Sequence, residues 1–255
     1  MITTGILVAG SFLAGLVDAV VGGGGLILIP LLLTTFPALP IPILFGTNKV
    51  AAAVGTTSAC VRYARSVAIP WKTALNAASF AFVGSWLGAR AVSLLPKETM
   101  KPLVLAMLIL VGIYTFIRKD FGKDSKSELT GRALILAASL VGLTIGLYDG
   151  FFGPGTGSFL IFAFIRWFGF DFLKASATAK VVNLATNLAA ILFFATHDGI
   201  LWKLAAMMAV ANLLGALLGT HLALKHGNGF IRWLFLGVVS ILVMKLGWEI
   251  LMPLL

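Results

Sequence analysis

Residues 15–25 read GLVDAVVGGGG, and residues 146–157 read GLYDGFFGPGTG. In each stretch an aspartate, Asp18 or Asp149, stands a few residues ahead of a glycine cluster inside apolar sequence. A carboxylate in hydrocarbon is costly unless it is paired or wetted. A glycine run breaks a helix and bares backbone N–H groups that lipid cannot satisfy. Two such breaks at matching places in two halves point to a binding site between repeats in a membrane.

The sequence around these breaks is membrane sequence. Of 255 residues, 60% are apolar and 11% charged, and the mean hydropathy is +1.04. Soluble domains run about 25% charged. Apolar runs of about 20 residues, enough for a ~30 Å hydrocarbon core, recur along the whole length. They do not alternate with period two, which argues against a β-barrel. The expected class is an all-α polytopic membrane protein in the cell membrane, as in a bacterial inner membrane. The net charge of +10 does not point to nucleic acid, because the basic residues cluster in connections, where they set topology. The single cysteine, Cys60, excludes an intramolecular disulfide and a Cys-rich metal site, and reads as packing. MITTG carries no basic n-region, so the first span is expected to act as its own insertion signal.

Taken in order, the first span runs from residue 2 to 21, stops at the glycines and resumes over 26–35. Further spans read at 44–63, 73–95 and 102–117. Residues 118–132 are the one substantial polar connection, with Ser127 or Thr130 placed to cap the next helix. The plan then repeats, with spans at 133–152, 158–168, 175–196, 201–224 and 230–251. Shifting the chain by 131 residues matches 15–90 to 146–221 without a gap, and 18 of the 76 positions are identical. Chance in such Ala/Gly/Leu-rich sequence gives about one in ten, so the expected organisation is a duplication. The first repeat is 1–117, the connection 118–132 and the second repeat 133–255. Each repeat has a Gly-broken first span plus three transmembrane helices.

Basic residues bear on the orientation of the repeats. If each broken span crosses once, the connections hold nine Lys/Arg on one side and seven on the other. If each break is a hairpin, the same residues divide twelve to four, and the repeats are inverted with both chain ends outside. The hairpin reading obeys the positive-inside rule better. The limbs after the breaks, roughly 11 residues or ~16 Å, suit half-depth segments.

Candidate site residues follow from the breaks. A helix that starts inside the membrane presents unpaired N–H groups and the positive end of its dipole, which suits an anion. Gly22, Gly23, Gly24 and Gly25 and then Gly153, Gly155, Thr156 and Gly157 are the backbone donors expected there. Thr47, Asn48 and Lys49 match Thr178, Ala179 and Lys180. The two lysines either snorkel to an interface, neutralise Asp18 and Asp149, or meet an anion. Thr57, Asn183 and Asn187 are placed to add hydrogen bonds. Asp18 and Asp149 either exchange protons or hold the lysines in place. Gly84 and Gly88, and Gly215 and Gly219, have GxxxG spacing and read as helix contacts. Trp71-Lys72 and Trp202-Lys203 read as interface anchors, Arg90 and His221 as interfacial, and His197-Asp198 as a solvated connection. No nucleophile–base or metal motif is present, so neither an enzyme nor a cofactor is expected.

With these residues assembled, the chain resembles the TauE/SafE sulfite-exporter family of membrane permeases over nearly its whole length. The resemblance rests on GLVDAVVGGGGLILIPLL, GTNKVAAAVGTTSA and AIPWK, and on their counterparts GLYDGFFGPGTGSFL, ATAKVVNLATNLAA and GILWK. It implies a secondary transporter of sulfite or a small organosulfur anion such as sulfoacetate, working by alternating access, with the lipid bilayer and a small anion as partners. An anion channel with the same site is the main alternative, and a metal-cation permease is weaker. Pro154 and Thr156 stand where the first half has glycines, so the two half-sites are not equivalent.

Overall fold

The computed structural model describes residues 2–96 and 129–226, with residues 102, 103, 106 and 110 between them. The span expected over 230–251, most of the polar connection, Ser127, and all of the span expected over 102–117 except helical residues 102, 103, 106 and 110 lie outside the described residues. Eight helices and no strand occur among the described residues: α1 (Ile2–Val21), α2 (Gly25–Thr35), α3 (Ile41–Ser66), α4 (Trp71–Ser93), α5 (Gly131–Phe151), α6 (Thr156–Phe168), α7 (Phe172–His197) and α8 (Trp202–His226). By length and composition α1, α5, α7 and α8 can each cross a membrane, and the chain is a multi-pass membrane protein.

The breaks fall where the glycines are. Gly22 follows α1 at φ 75°, and Gly153 follows α5 at φ 93°. These are left-handed values that side chains with a Cβ resist. Gly155, at φ 78°, occupies the N-cap of α6. The helices after the breaks are short, 11 residues in α2 and 13 in α6, or roughly 16 and 20 Å. Neither spans a bilayer. Leu31 of α2 packs over Gly10 of α1, so α2 folds back along α1. A straight continuation would carry Leu31 beyond reach of Gly10.

Two helix starts refine the expected boundaries. α3 begins three residues earlier than its apolar run, because Pro42 fits a first turn where no N–H partner is needed. α7 begins after Asp171, whose carboxylate accepts the Lys174 N–H at 2.9 Å as an N-cap. Thr130 does hold the N-cap position of α5, but its side chain makes no capping bond, contrary to expectation. Its backbone is extended at φ −135°, and the α5 start is solvent-exposed.

Small residues let the long helices approach closely, and the contacts record their directions. Gly142, Gly146 and Gly150 of α5 lie on Ala77, Ala81 and Ser85 of α4, in ascending order on both. Gly215 and Gly219 of α8 lie on Phe12 and Leu16 of α1 in the same sense. A Cβ added at Gly84, Gly88, Gly215 or Gly219 would strike neighbouring backbone, so the GxxxG pairs are helix contacts. α8 also runs alongside α3, with Asn212 over Gly55 and Arg62 Nη1 donating to the Leu217 carbonyl at 3.0 Å. α7 runs alongside α4, where Ser85 Oγ donates to Thr186 O and Ser93 Oγ to Asp198. Leu136, Leu140 and Leu147 of α5 and Val210, Leu214 and Leu218 of α8 form exposed stripes suited to lipid. Trp71 and Trp202 are 49% and 57% exposed beside exposed Lys72 and Lys203, as membrane-interface anchors would be.

Candidate functional site

The two broken helices meet. The Gly157 N–H donates to the Gly22 carbonyl at 3.1 Å, and Ser158 Oγ donates to the Val21 carbonyl at 2.5 Å. A Cβ on either Gly22 or Gly157 would collide with the backbone of the other. Gly25 rests against Pro154. The close approach is possible because neither strand of the crossing carries a side chain there. It also spends one of the expected donors, since the Gly157 amide is already bonded. The Gly24 amide points to Asp18 Oδ1 at 3.4 Å. Among the described residues no acceptor meets the amides of Gly23 and Gly155.

The lysines do not snorkel. Each is the ninth residue of its helix, more than two turns in. Lys49 is 4% exposed and Lys180 is fully buried. The pairing crosses between the halves. Lys49 of α3 donates to Asp149 of α5 at 2.5 Å, and Lys180 of α7 donates to Asp18 of α1 at 2.9 Å. Lys180 also donates to the Asp18 main-chain carbonyl. Burial without a partner costs such groups several kcal/mol each, so the charges require one another. Lys49 Nζ lies against Gly153, 3.3 Å from where a Cβ would stand, so the break leaves room for the ammonium.

Two tyrosines brace the breaks. Tyr63 Oη donates to the Ala19 carbonyl at 3.1 Å, and Tyr148 Oη to the Pro154 carbonyl at 2.5 Å. Thr156 Oγ1 closes the second break on the Gly153 carbonyl at 2.8 Å. Asn183 and Asn187 are buried on α7, and Thr186 Oγ1 donates to the Asn183 carbonyl. Asn187 Nδ2 and Asn48 Oδ1 are buried with no partner among the described residues. An unmet buried polar group of this kind costs about 1–3 kcal/mol.

Three expected positions are corrected. Thr57 is exposed and its hydroxyl turns back to the Ala53 carbonyl, away from the cluster. Thr56 takes the inward place, 1% exposed, with Oγ1 3.4 Å from Asp18 Oδ2. The signal for it was present, since the 131-residue shift matches Thr56 with Asn187. Thr47 is buried, but it donates to Ile43 O and accepts the Leu201 amide at 3.1 Å, so it secures the α7–α8 connection. His197 is exposed, in keeping with a solvated residue, but lies in the helix and not in the connection after it. It ends α7, stacked on Phe193 at 4.3 Å, and borders a 360 Å³ cavity with Trp86, Arg90, Ser93 and Leu94.

The arrangement thus joins a buried and a part-buried ion pair, two helix breaks and unspent amide donors. Comparison with known proteins agrees with a transport architecture. The profile of the family described as "Sulfite exporter TauE/SafE" matches residues 7–246. A protein from Sinorhizobium sp named "Probable membrane transporter protein ORF9" is 35% identical over 94% of this chain and 90% of its own length. A "Probable membrane transporter protein" of Haemophilus influenzae is 36% identical, covering 89% of this chain and 88% of that one. Escherichia coli "Probable membrane transporter protein YfcA" is 32% identical over 95% and 88%. No solved structure matches the chain.

Proposed function

This chain belongs to the sulfite exporter TauE/SafE family of membrane transporters, and from that premise we propose that it is a secondary transporter of small sulfur-containing anions. Sulfite and short organosulfonates such as sulfoacetate are the substrate class. The observation that carries the reading is the crossed pairing of Lys49 with Asp149 and of Lys180 with Asp18 at the meeting point of the two breaks. Two buried ammonium groups beside helix starts suit an oxyanion. They count against a cation permease, since each already neutralises the carboxylate a cation would need.

The halves are read as inverted repeats. α1, α3 and α8 share one direction and α4, α5 and α7 the other, because α3 and α4 are joined through only residues 67–70 and must turn back. α1 and its counterpart α5 therefore oppose one another, as the basic-residue division favours. Both ion pairs found among the described residues link one half to the other, so rocking of the halves would open one face and close the other. The hydrogen bond from the Gly157 N–H to the Gly22 carbonyl ties the two breaks together in this conformation.

Reconstitution tests the reading. Liposomes holding the protein should take up labelled sulfite or sulfoacetate with saturation and show counterflow, and Lys180→Met should abolish both. Non-saturating passive flux would instead identify a channel.

A further inference from the structure

The two ion-pair stations differ in what they leave unspent, and the inference drawn from that difference rests on the anion-transport reading. At Asp18 the donors are committed. Lys180 serves both its carboxylate and its carbonyl, Thr56 meets Oδ2 and the Gly24 amide meets Oδ1, each at 3.4 Å. At the other station Lys49 meets Asp149, while the amides of Asn187 Nδ2 and Gly155 stay without acceptors among the described residues. Asn187 belongs to this station by register. Lys49 and Thr56 lie seven residues apart on one face of α3, and Lys180 and Asn187 have the same spacing on α7. α3 and α7 run in opposite directions, and Thr56 and Lys180 meet at Asp18. The same crossing brings Asn187 level with Lys49 and Asp149.

Charge balance decides what happens when an anion arrives. The side chains of Lys49 and Asp149 are 5% and 2% exposed and sum to zero. A monoanion that claims Lys49 leaves one uncompensated negative charge in a buried site, which is prohibitive. A proton on Asp149 restores neutrality. Lys49 is the cation within ion-pair distance of Asp149 among the described residues. On its own helix, Tyr148 is committed to Pro154 O. α4 and α6 carry Arg90 and Arg166 on exposed faces, and Lys180 of α7 is held by Asp18.

We infer that Asp149 is the proton-coupling carboxylate and that Lys49, with the Asn187 amide, holds the anion: one proton is taken up by Asp149 for each monoanion bound. The carboxylate gains the proton, the ion pair opens, and the anion replaces Asp149 as the counterion of Lys49. No covalent bond changes. Because binding takes up a proton, anion affinity rises as pH falls.

Calorimetric titration of the purified full chain with methanesulfonate, in two buffers of different ionisation enthalpy, counts the protons. This monoanion does not itself titrate near neutral pH. The expected result is about one proton per anion in the wild type, with affinity rising by up to about tenfold per unit fall in pH. Binding without proton uptake is expected in Asp149→Asn. Should the single variant not fold, Lys49→Gln with Asp149→Asn removes both charges and is expected to lose the anion, whereas retained proton-coupled binding there overturns the inference. Wild-type binding without proton uptake, or uptake that persists in Asp149→Asn, also overturns it and leaves anion transport standing. Failure of methanesulfonate, sulfite and thiosulfate alike to bind overturns both.

Discussion

Lys49 and Asp149 are worth more as a pair than apart. Replacing one partner leaves a buried charge with nothing to meet it, a loss of about 3–5 kcal/mol, whereas replacing both by apolar groups of similar volume is near neutral. Lys49→Met is therefore expected to lower the unfolding midpoint sharply in detergent, and Lys49→Met with Asp149→Leu to recover most of it. A double variant no more stable than the single would mean that the pair is not what holds these side chains. Gly22 is constrained for another reason. Its φ of 75° costs a residue with a Cβ about 1–2 kcal/mol, and that Cβ would also meet Gly157. Gly22→Ala should lose both stability and uptake, whereas Gly5→Ala, where a Cβ meets nothing within 4 Å, should lose neither.

Among the helices, the glycines of α4 and α8 matter through contact and not through conformation. Gly84 faces Leu143 and Leu147, and Gly215 faces Phe12 and Leu16. Overfilling a tight contact costs typically about 1–3 kcal/mol. Gly84→Leu and Gly215→Leu should each destabilise the protein by at least that amount, read from thermal unfolding, because backbone atoms cannot yield as side-chain ends do. Helix caps are predicted to be unequal. Asp171→Ala should cost about 1 kcal/mol, because a real hydrogen bond to Lys174 N is lost. Thr130→Ala should cost less, since no such bond exists there.

The proposed inversion of the two halves fixes the side on which each connection lies. In a Cys60→Ser background, cysteines placed at Pro37 and Leu94 should react from outside with an impermeant thiol reagent. Cysteines at Ala68 and Arg166 should react only after permeabilisation. Parallel halves with eight crossings would put Arg166 on the same side as Pro37, so labelling of Arg166→Cys from outside would refute the inverted arrangement.

Much of this was legible in the residues alone. Composition imposed a membrane fold, because hydrocarbon admits only backbone that satisfies itself. The glycines at 22–25 and 153–157 marked where helices stop, and GxxxG at 84 and 215 marked where they touch, since both are local steric properties. Which of Thr56 and Thr57 faces inward was not local. Adjacent residues on a helix point about 100° apart, and only the packing of α3 against α1, α7 and α8 sets its rotation. The same holds for Thr47, drawn off to the Leu201 amide, and for the Gly157 amide, consumed by Gly22. Each lysine's choice of the aspartate in the opposite half lay furthest from the sequence. Residues 100 and 162 positions apart become partners only when two antiparallel helices cross, and tertiary structure alone brings those charges together.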